Sequence, residues 1–188
     1  MPVPGVVTPP QPLNPTPPLV ALPTAPPSRP VNPFPPPPGW ASEWDKAGDV
    51  RVRVRSVAYR QVLLVDRRRR FPSPEEYFVV WVEIENLSPS ATFTYRRWQP
   101  TTTGECTLRY QSRNTVPYAI YPAGAGREWA TEFTQELTPG GPPVVEALAF
   151  GRPDTGELGN LTLTLDATRV GKTGLFSFTI PKSVWAGR

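Results

Sequence analysis

One stretch, residues 77–87 with the sequence YFVVWVEIENL, limits the possible folds more than any other. Successive side chains of a strand point to opposite faces. One face of this stretch is entirely apolar, with Phe78, Val80, Val82 and Ile84, and the other carries Tyr77, Val79, Trp81, Glu83 and Glu85. One face of the strand is apolar along its whole length, and the other face is apolar over its first half. A strand that is covered in this way lies inside a packed sheet. The stretch therefore predicts a central strand of an all-β domain, with its two glutamates exposed.

Alternating segments recur along the rest of the chain, separated by turn residues. In residues 49–59, valines at every second position point inward until the phase slips, which predicts a β-bulge near Arg55 and Ser56. Further strands are predicted at residues 62–65, 91–98, 107–111, 128–137, 144–150, 161–165 and 175–180. The tract FPSPEE, residues 71–76, is predicted to be a loop because of its prolines and charges. No segment shows a helical period, so the pattern predicts an antiparallel β-sandwich of seven to nine strands.

The distribution of proline divides the chain in two. Residues 1–40 hold 17 of the 28 prolines and a single charged residue, Arg29. Proline fixes φ and lacks a backbone donor, so residues 1–38 are predicted to sample polyproline II at about 3.1 Å per residue, on the order of 100 Å if fully extended. We therefore predict a proline-rich arm over residues 1–40 and a sandwich domain over residues 41–188.

Apolar residues recur along the arm and make it a candidate for binding a protein partner. They are Leu13, Leu19, Val20, Leu22, Val31, Phe34 and Trp40. The alternative is that the arm is a spacer. Trp40 and Trp44 stand where the arm meets the domain and bring a large apolar area. We expect them to fix the end of the arm to the sandwich. One candidate contact is the apolar half of the second face of the central stretch, formed by Tyr77, Val79 and Trp81.

Several chemistries are disfavoured by composition. The chain has no histidine and one cysteine, Cys106, which disfavours histidine-dependent catalytic triads, the usual zinc sites and an intrachain disulfide. The tract around Gly171, Lys172 and Thr173 lacks the first glycine of a phosphate-binding loop. We expect a non-enzymatic protein with no cofactor and no metal. No apolar run approaches the ~20 residues of a membrane helix, and residues 1–10 lack the pattern of a signal peptide.

Arginine supplies most of the positive charge and suggests a second function. The candidate residues for a basic face are Arg51, Arg53, Arg55, Arg67, Arg68, Arg69, Arg70, Arg96 and Arg97. If the strands that carry them expose neighbouring faces, they could bind a polyanion such as nucleic acid, a lipid headgroup or an acidic polysaccharide. The competing interpretation is a solvated surface balanced by glutamates. The net charge of +4 is small, which favours the latter.

A set of motifs resembles a group of uncharacterised bacterial immunoglobulin-like domains. The motifs are GDVRVRVRSVAY, LLVD, SPEEYFVVWVEIEN, YRRW and GNLTLTLDATRVGKTGLFSFTIPKSVW, which together span most of residues 48–185. Such domains often follow a membrane anchor or a low-complexity linker. The resemblance implies an immunoglobulin-like sandwich in the cell envelope or in a larger assembly, and it implies no catalytic residues.

Overall fold

The protein folds as a set of antiparallel β-sheets. A computed structural model describes residues 39–66, 69–98, 105–110, 126–127, 134–153 and 159–186, with backbone alone at residues 63–66, 69–70 and 126–127. The strands in these residues are β1 Asp45–Ala47, β2 Val50–Asp66, β3 Arg69–Asn86, β4 Phe93–Arg96, β5 Cys106–Tyr110, β6 Gly126–Arg127, β7 Thr134–Leu137, β8 Val144–Phe150, β9 Leu161–Asp166 and β10 Leu175–Ile180. Helix in the same residues is limited to a 3-10 turn, Ala167–Val170, and one short helix, α1 Lys182–Trp185. The all-β prediction is confirmed.

Two sheets enclose one hydrophobic core. The larger sheet has the order β1-β2-β3-β8, with β6 also pairing with β2, and the second has the order β10-β9-β5. Strands β4 and β7 form a separate pair. The described pairings are all antiparallel. Because β3 lies between β2 and β8, the prediction of a central strand is confirmed. Strands β1 and β6 are too short to produce an alternation pattern, and the sequence predicted neither.

The pairing of β2 with β3 keeps both strands in phase with the core. Val50, Val52 and Val54 are fully buried opposite β3. The register then shifts between Val54 and Ser56, so that Arg55 is the extra residue of a bulge. Beyond the bulge, Val57 takes over the core-facing phase. The predicted bulge and the change of phase are therefore confirmed.

The predicted loop at residues 71–76 is wrong, because β3 already begins at Arg69. Pro72 has no N–H to give to the ladder, and the register shifts here between Gln61 and Leu63. The buried hydroxyl of Ser73 replaces the missing pairing: it accepts a hydrogen bond from the Val62 N–H at 2.9 Å and donates one to the Glu75 carbonyl at 2.6 Å. This side chain lets a proline-containing segment continue the hairpin with β2.

The core between the sheets combines aliphatic strands with buried tryptophans. Leu161, Leu163 and Leu165 of β9 meet the core-facing residues of β2 and β3 in one cluster. Trp98 is 1% exposed, its indole N–H donates to the Asp166 carbonyl at 2.8 Å, and its ring meets Phe176 edge-on. Each sheet thus contributes one apolar face, as the alternation predicted.

Asn86, the last residue of β3, connects three chain segments. Its side-chain amide donates to the carbonyls of Ala91 and Leu137, both at 2.7 Å, and its side-chain oxygen accepts from the Ser88 N–H at 2.8 Å. The residue is 6% exposed. These bonds satisfy carbonyls that would otherwise be buried without a partner, and they hold the turn after β3 against the end of β7.

A second buried cluster lies on the other face of the larger sheet. Val79 and Trp81 are 2% and 1% exposed and pack with Ala58, Val62 and Ala147, among others. The described hydrophobic residues packed against this cluster are Tyr77 and Val145. The suggestion that Trp40 and Trp44 cover Tyr77, Val79 and Trp81 is wrong within the described residues, because Trp44 lies farther along this face, over Arg51 and Arg53. Trp40 packs instead against the core between the sheets.

Replacement of Trp81 by alanine should destabilise the protein strongly. The indole is almost fully buried, and truncation of such a side chain costs about 3–5 kcal/mol in lost burial and cavity formation. Urea unfolding of the full chain measures the loss. Leu175→Ala is the control, because this side chain is 63% exposed and the change should cost less than about 0.5 kcal/mol. Similar losses in both variants would contradict the burial of Trp81 on a second packed face.

Candidate functional site

An aromatic and charged platform covers the outer face of the larger sheet beside the second cluster. Arg51 lies directly opposite Glu85 across β2 and β3, and Arg53 lies opposite Glu83. In each pair, the arginine Nη2 and Nε contact the same carboxylate oxygen, at 2.6 and 2.7 Å. The ring of Trp44 lies 4.4 Å from both guanidinium carbons. We call these five residues the Trp44 platform.

The platform corrects the prediction that Glu83 is exposed. Glu83 is 7% exposed, and its second carboxylate oxygen lies 3.9 Å from Arg55. Alternation placed the glutamate correctly on the face opposite the core. It could not show that arginines on the neighbouring strand would cover the carboxylate. Cross-strand pairs of opposite charge stabilise a sheet, so Glu83 has a structural role.

A groove of about 520 Å³ opens next to the platform, where the chain enters β1. Residues 40–45 form one wall and residues 177–179 of β10 form the other. The first wall is attached to β2, because the Ser42 N–H donates to the Val54 carbonyl at 2.8 Å and the Ser42 hydroxyl accepts from the Val54 N–H at 2.9 Å. The walls are joined by a hydrogen bond from the Ser177 N–H to the Asp45 carboxylate at 3.0 Å. We call this feature the edge groove.

The structure separates the arginines that the sequence grouped together. Arg51 and Arg53 belong to the platform, and Arg55 is the most exposed of the three, with 46% of its side chain accessible. Arg96 is exposed on β4, in a different sheet. The backbone of Arg69 and Arg70 pairs with Asp66 and Val65 at the far end of the β2–β3 hairpin. Arg67 and Arg68 lie outside the described residues. Polyanion binding by the full set stays a prediction, and the described members do not form one continuous face.

Arg97 points into the protein and pairs with a buried carboxylate. Its Nε lies 2.9 Å from Oε1 of Glu146, and the two side chains are 16% and 2% exposed. Burial raises the pKa of the Glu146 carboxyl well above its ordinary value of 4.5, and the backbone N–H of Trp98 opposes that rise. The guanidinium also favours the charged carboxylate. This pair therefore contributes to the packing of β8 rather than to an external basic surface.

The core-facing position of Glu146 could have been predicted from the sequence. In VVEALAF, residues 144–150, it shares its phase with Val144, Leu148 and Phe150, which all lie in the core. A lone glutamate in a core-facing series needs a partner. The identity of the partner could not be inferred, because Arg97 reaches it from a segment that follows a different strand.

The described residues have few features of a catalytic or metal centre. They contain no group of three or more histidine, cysteine or acidic residues able to hold a metal ion. Cys106 is buried in the core. Of the candidate arm residues, Trp40 lies within the described part and lines the edge groove. Leu13, Leu19, Val20, Leu22, Val31 and Phe34 lie outside it.

Comparisons with known proteins give little further information. No known protein family matches the sequence. No curated protein matches it either. A crystal structure of the yjhA protein from Bacillus subtilis is similar, with a TM-score of 0.46 and 16% sequence identity, over 74% of this chain and 95% of that chain. At this TM-score the similarity supports no statement about fold family or function. Across the described residues, none of the helices has the length and apolar character to span a membrane.

Replacement of Glu83 by alanine should lower the free energy of unfolding by about 1 kcal/mol, because it removes the carboxylate that Arg53 contacts. A double-mutant cycle with Arg53→Ala, measured by urea unfolding, isolates the interaction of the pair. Glu136→Ala is the control at an exposed position and should have little effect. A coupling energy of zero would show that the pair contributes nothing to stability.

Replacement of Arg97 by methionine should destabilise the protein by about 3–5 kcal/mol at neutral pH, because Glu146 would remain buried without its ion pair. The loss should depend on pH. Burial raises the pKa of Glu146 in the folded protein above its value in the unfolded chain. The stability linked to this group is therefore fully present below the unfolded-state pKa and is lost as the pH rises through the folded-state pKa.

Arg97→Met should therefore differ least from the wild type at acid pH, and the difference should grow as the pH is raised. Urea unfolding at a series of pH values measures this trend. Adding Glu146→Gln to the variant removes the titrating group and should flatten the trend. A deficit of the same size at every pH would contradict the role of Glu146.

Proposed function

We propose that this protein is a non-enzymatic structural or protein-interaction module, in which a sandwich domain holds a proline-rich arm for docking on a partner. The observation that carries this proposal is that two tryptophans at the start of the domain, Trp40 and Trp44, pack against the rest of the protein. Trp40 packs against the core, and Trp44 stacks on two paired arginines. An arm attached through two anchored tryptophans leaves the domain from a defined place, as a docking segment requires.

The arrangement of charge supports a role without catalysis. Glu83, Glu85 and Glu146 all contact arginines that fix neighbouring strands or segments. Carboxylates used in this way contribute to the sandwich and are not set in a cleft to receive a substrate. The buried tryptophans and the two antiparallel sheets around one core support the immunoglobulin-like assignment. The resemblance to bacterial domains of that kind suggests a cell-envelope or larger assembly as the setting.

Limited proteolysis tests the docking role of the arm. The arm should be cleaved quickly in the isolated full-length protein and slowly in the complex purified from the native source. Cleavage at equal rates in both would show that the arm is a spacer, because a bound segment is protected from protease.

A variant of the full chain identifies the residues that dock. Leu19→Ser together with Leu22→Ser should reduce recovery of the partner in affinity purification, because these changes remove apolar contact area. Ala21→Ser together with Ala25→Ser is the matched control in the same tract and should leave recovery unchanged. Equal recovery with both variants would exclude this part of the arm from the interface.

A further inference from the structure

The edge groove exposes the free side of a strand. In the described residues, β10 pairs with β9 on one side only. The Ser177 N–H points away from β9, to the Asp45 carboxylate. Because the N–H and C=O of a residue in an antiparallel strand share one side, the backbone of Thr179, two residues further on, faces the same open edge. The Ser177 N–H is already bonded to Asp45, so an extended segment entering the groove would meet the backbone of Thr179 there.

The opposite wall supplies aromatic surface in a fixed position. Trp40 is held by the core, and Trp44 is held by Arg51 and Arg53. Aromatic-lined grooves are the usual binding sites of polyproline II segments, which lose little entropy when they bind. The ligand that fits this wall is an extended, proline-rich segment.

The charge of the groove selects among such segments. Glu43 is exposed, and Asp45 beside it is half-buried with its carboxylate at the joint between the walls. Neither carboxylate forms an ion pair with another described residue. A proline-rich ligand with one positive charge would complement them. The arm has this composition, since Arg29 is its only charged residue and the tract RPVNPF, residues 29–34, adds Val31 and Phe34.

The sequence next to the groove favours an arm from another molecule. Four consecutive prolines, Pro35 to Pro38, precede Gly39, and the wall begins at Trp40. Proline restricts φ and also keeps the preceding residue extended. Because polyproline II runs are extended and stiff, we expect this run to carry residues 29–34 away from the adjacent wall of the same molecule. A second copy meets no such restriction.

We propose that the edge groove binds residues 29–34 of a second copy of this chain, with Arg29 against Glu43 and Asp45 and with Val31 and Phe34 against the tryptophan wall. The inference rests on the proposed docking role of the arm and names its partner. If each copy inserts its arm into the other, the product is a closed dimer with two identical contacts.

Charge reversal in the full-length protein tests this arrangement. Sedimentation equilibrium should show a dimer of the wild type. Arg29→Glu or Glu43→Arg alone should weaken dimerisation about tenfold, because each change places like charges together. An equimolar mixture of the two variants should recover most of the lost dimer, since the changed arm then meets the groove changed at position 43 and the unchanged arm meets the unchanged groove, with Asp45 as the one like charge left beside the changed arm. Glu76→Arg reverses an exposed glutamate on β3 and serves as the matched control, with dimerisation unchanged.

The possible outcomes separate this inference from the proposed function. A monomeric wild type overturns the inference, and so does a dimer that both single reversals leave intact or that the mixture fails to restore. If the wild type is monomeric while the arm is still protected in the native complex, the partner is another protein and the docking role stands. If the arm is protected in neither state, both the inference and the docking role fail.

Discussion

The pairing of β2 with β3 is the constraint on which the rest of the structure depends. These long strands place a continuous apolar face on the core, and they keep it there past Arg55 because the bulge absorbs one residue. Without that bulge, every residue of β2 beyond it would point to the opposite face. Val57 would then leave the core, and Ala58 would leave the second cluster.

Arginine–glutamate pairs add to the packing of the apolar faces. On the outer face, arginine–glutamate pairs under Trp44 continue the cover of the sheet beyond Trp81. On the core side, Glu146 occupies a position that the alternation reserves for an apolar residue, and Arg97 enters to meet it. A buried charge is costly unless it is paired, so these contacts fix how the smaller elements sit on the larger sheet. The same platform holds one wall of the edge groove.

Part of the candidate site followed from the sequence. Two tryptophans at the start of the predicted sandwich domain predicted an anchoring point, and Trp40 does pack on the core. The edge groove did not follow, because its second wall comes from β10: Ser177, which bonds to Asp45, lies 132 positions further along the chain. The prediction for residues 71–76 failed for a local reason. Prolines there indicated a loop, but one serine hydroxyl replaced the missing backbone pairing.

The sequence by itself determined the fold class, the central position of residues 77–86 and the bulge near Arg55, because strand alternation depends only on residue type and spacing. The tertiary structure decided where the charges went. Arg51 and Arg97 are equally basic in the sequence, yet one stacks under Trp44 and the other enters the core toward Glu146. Those positions depend on which strands meet, and contacts between segments far apart in the chain cannot be obtained from local periodicity.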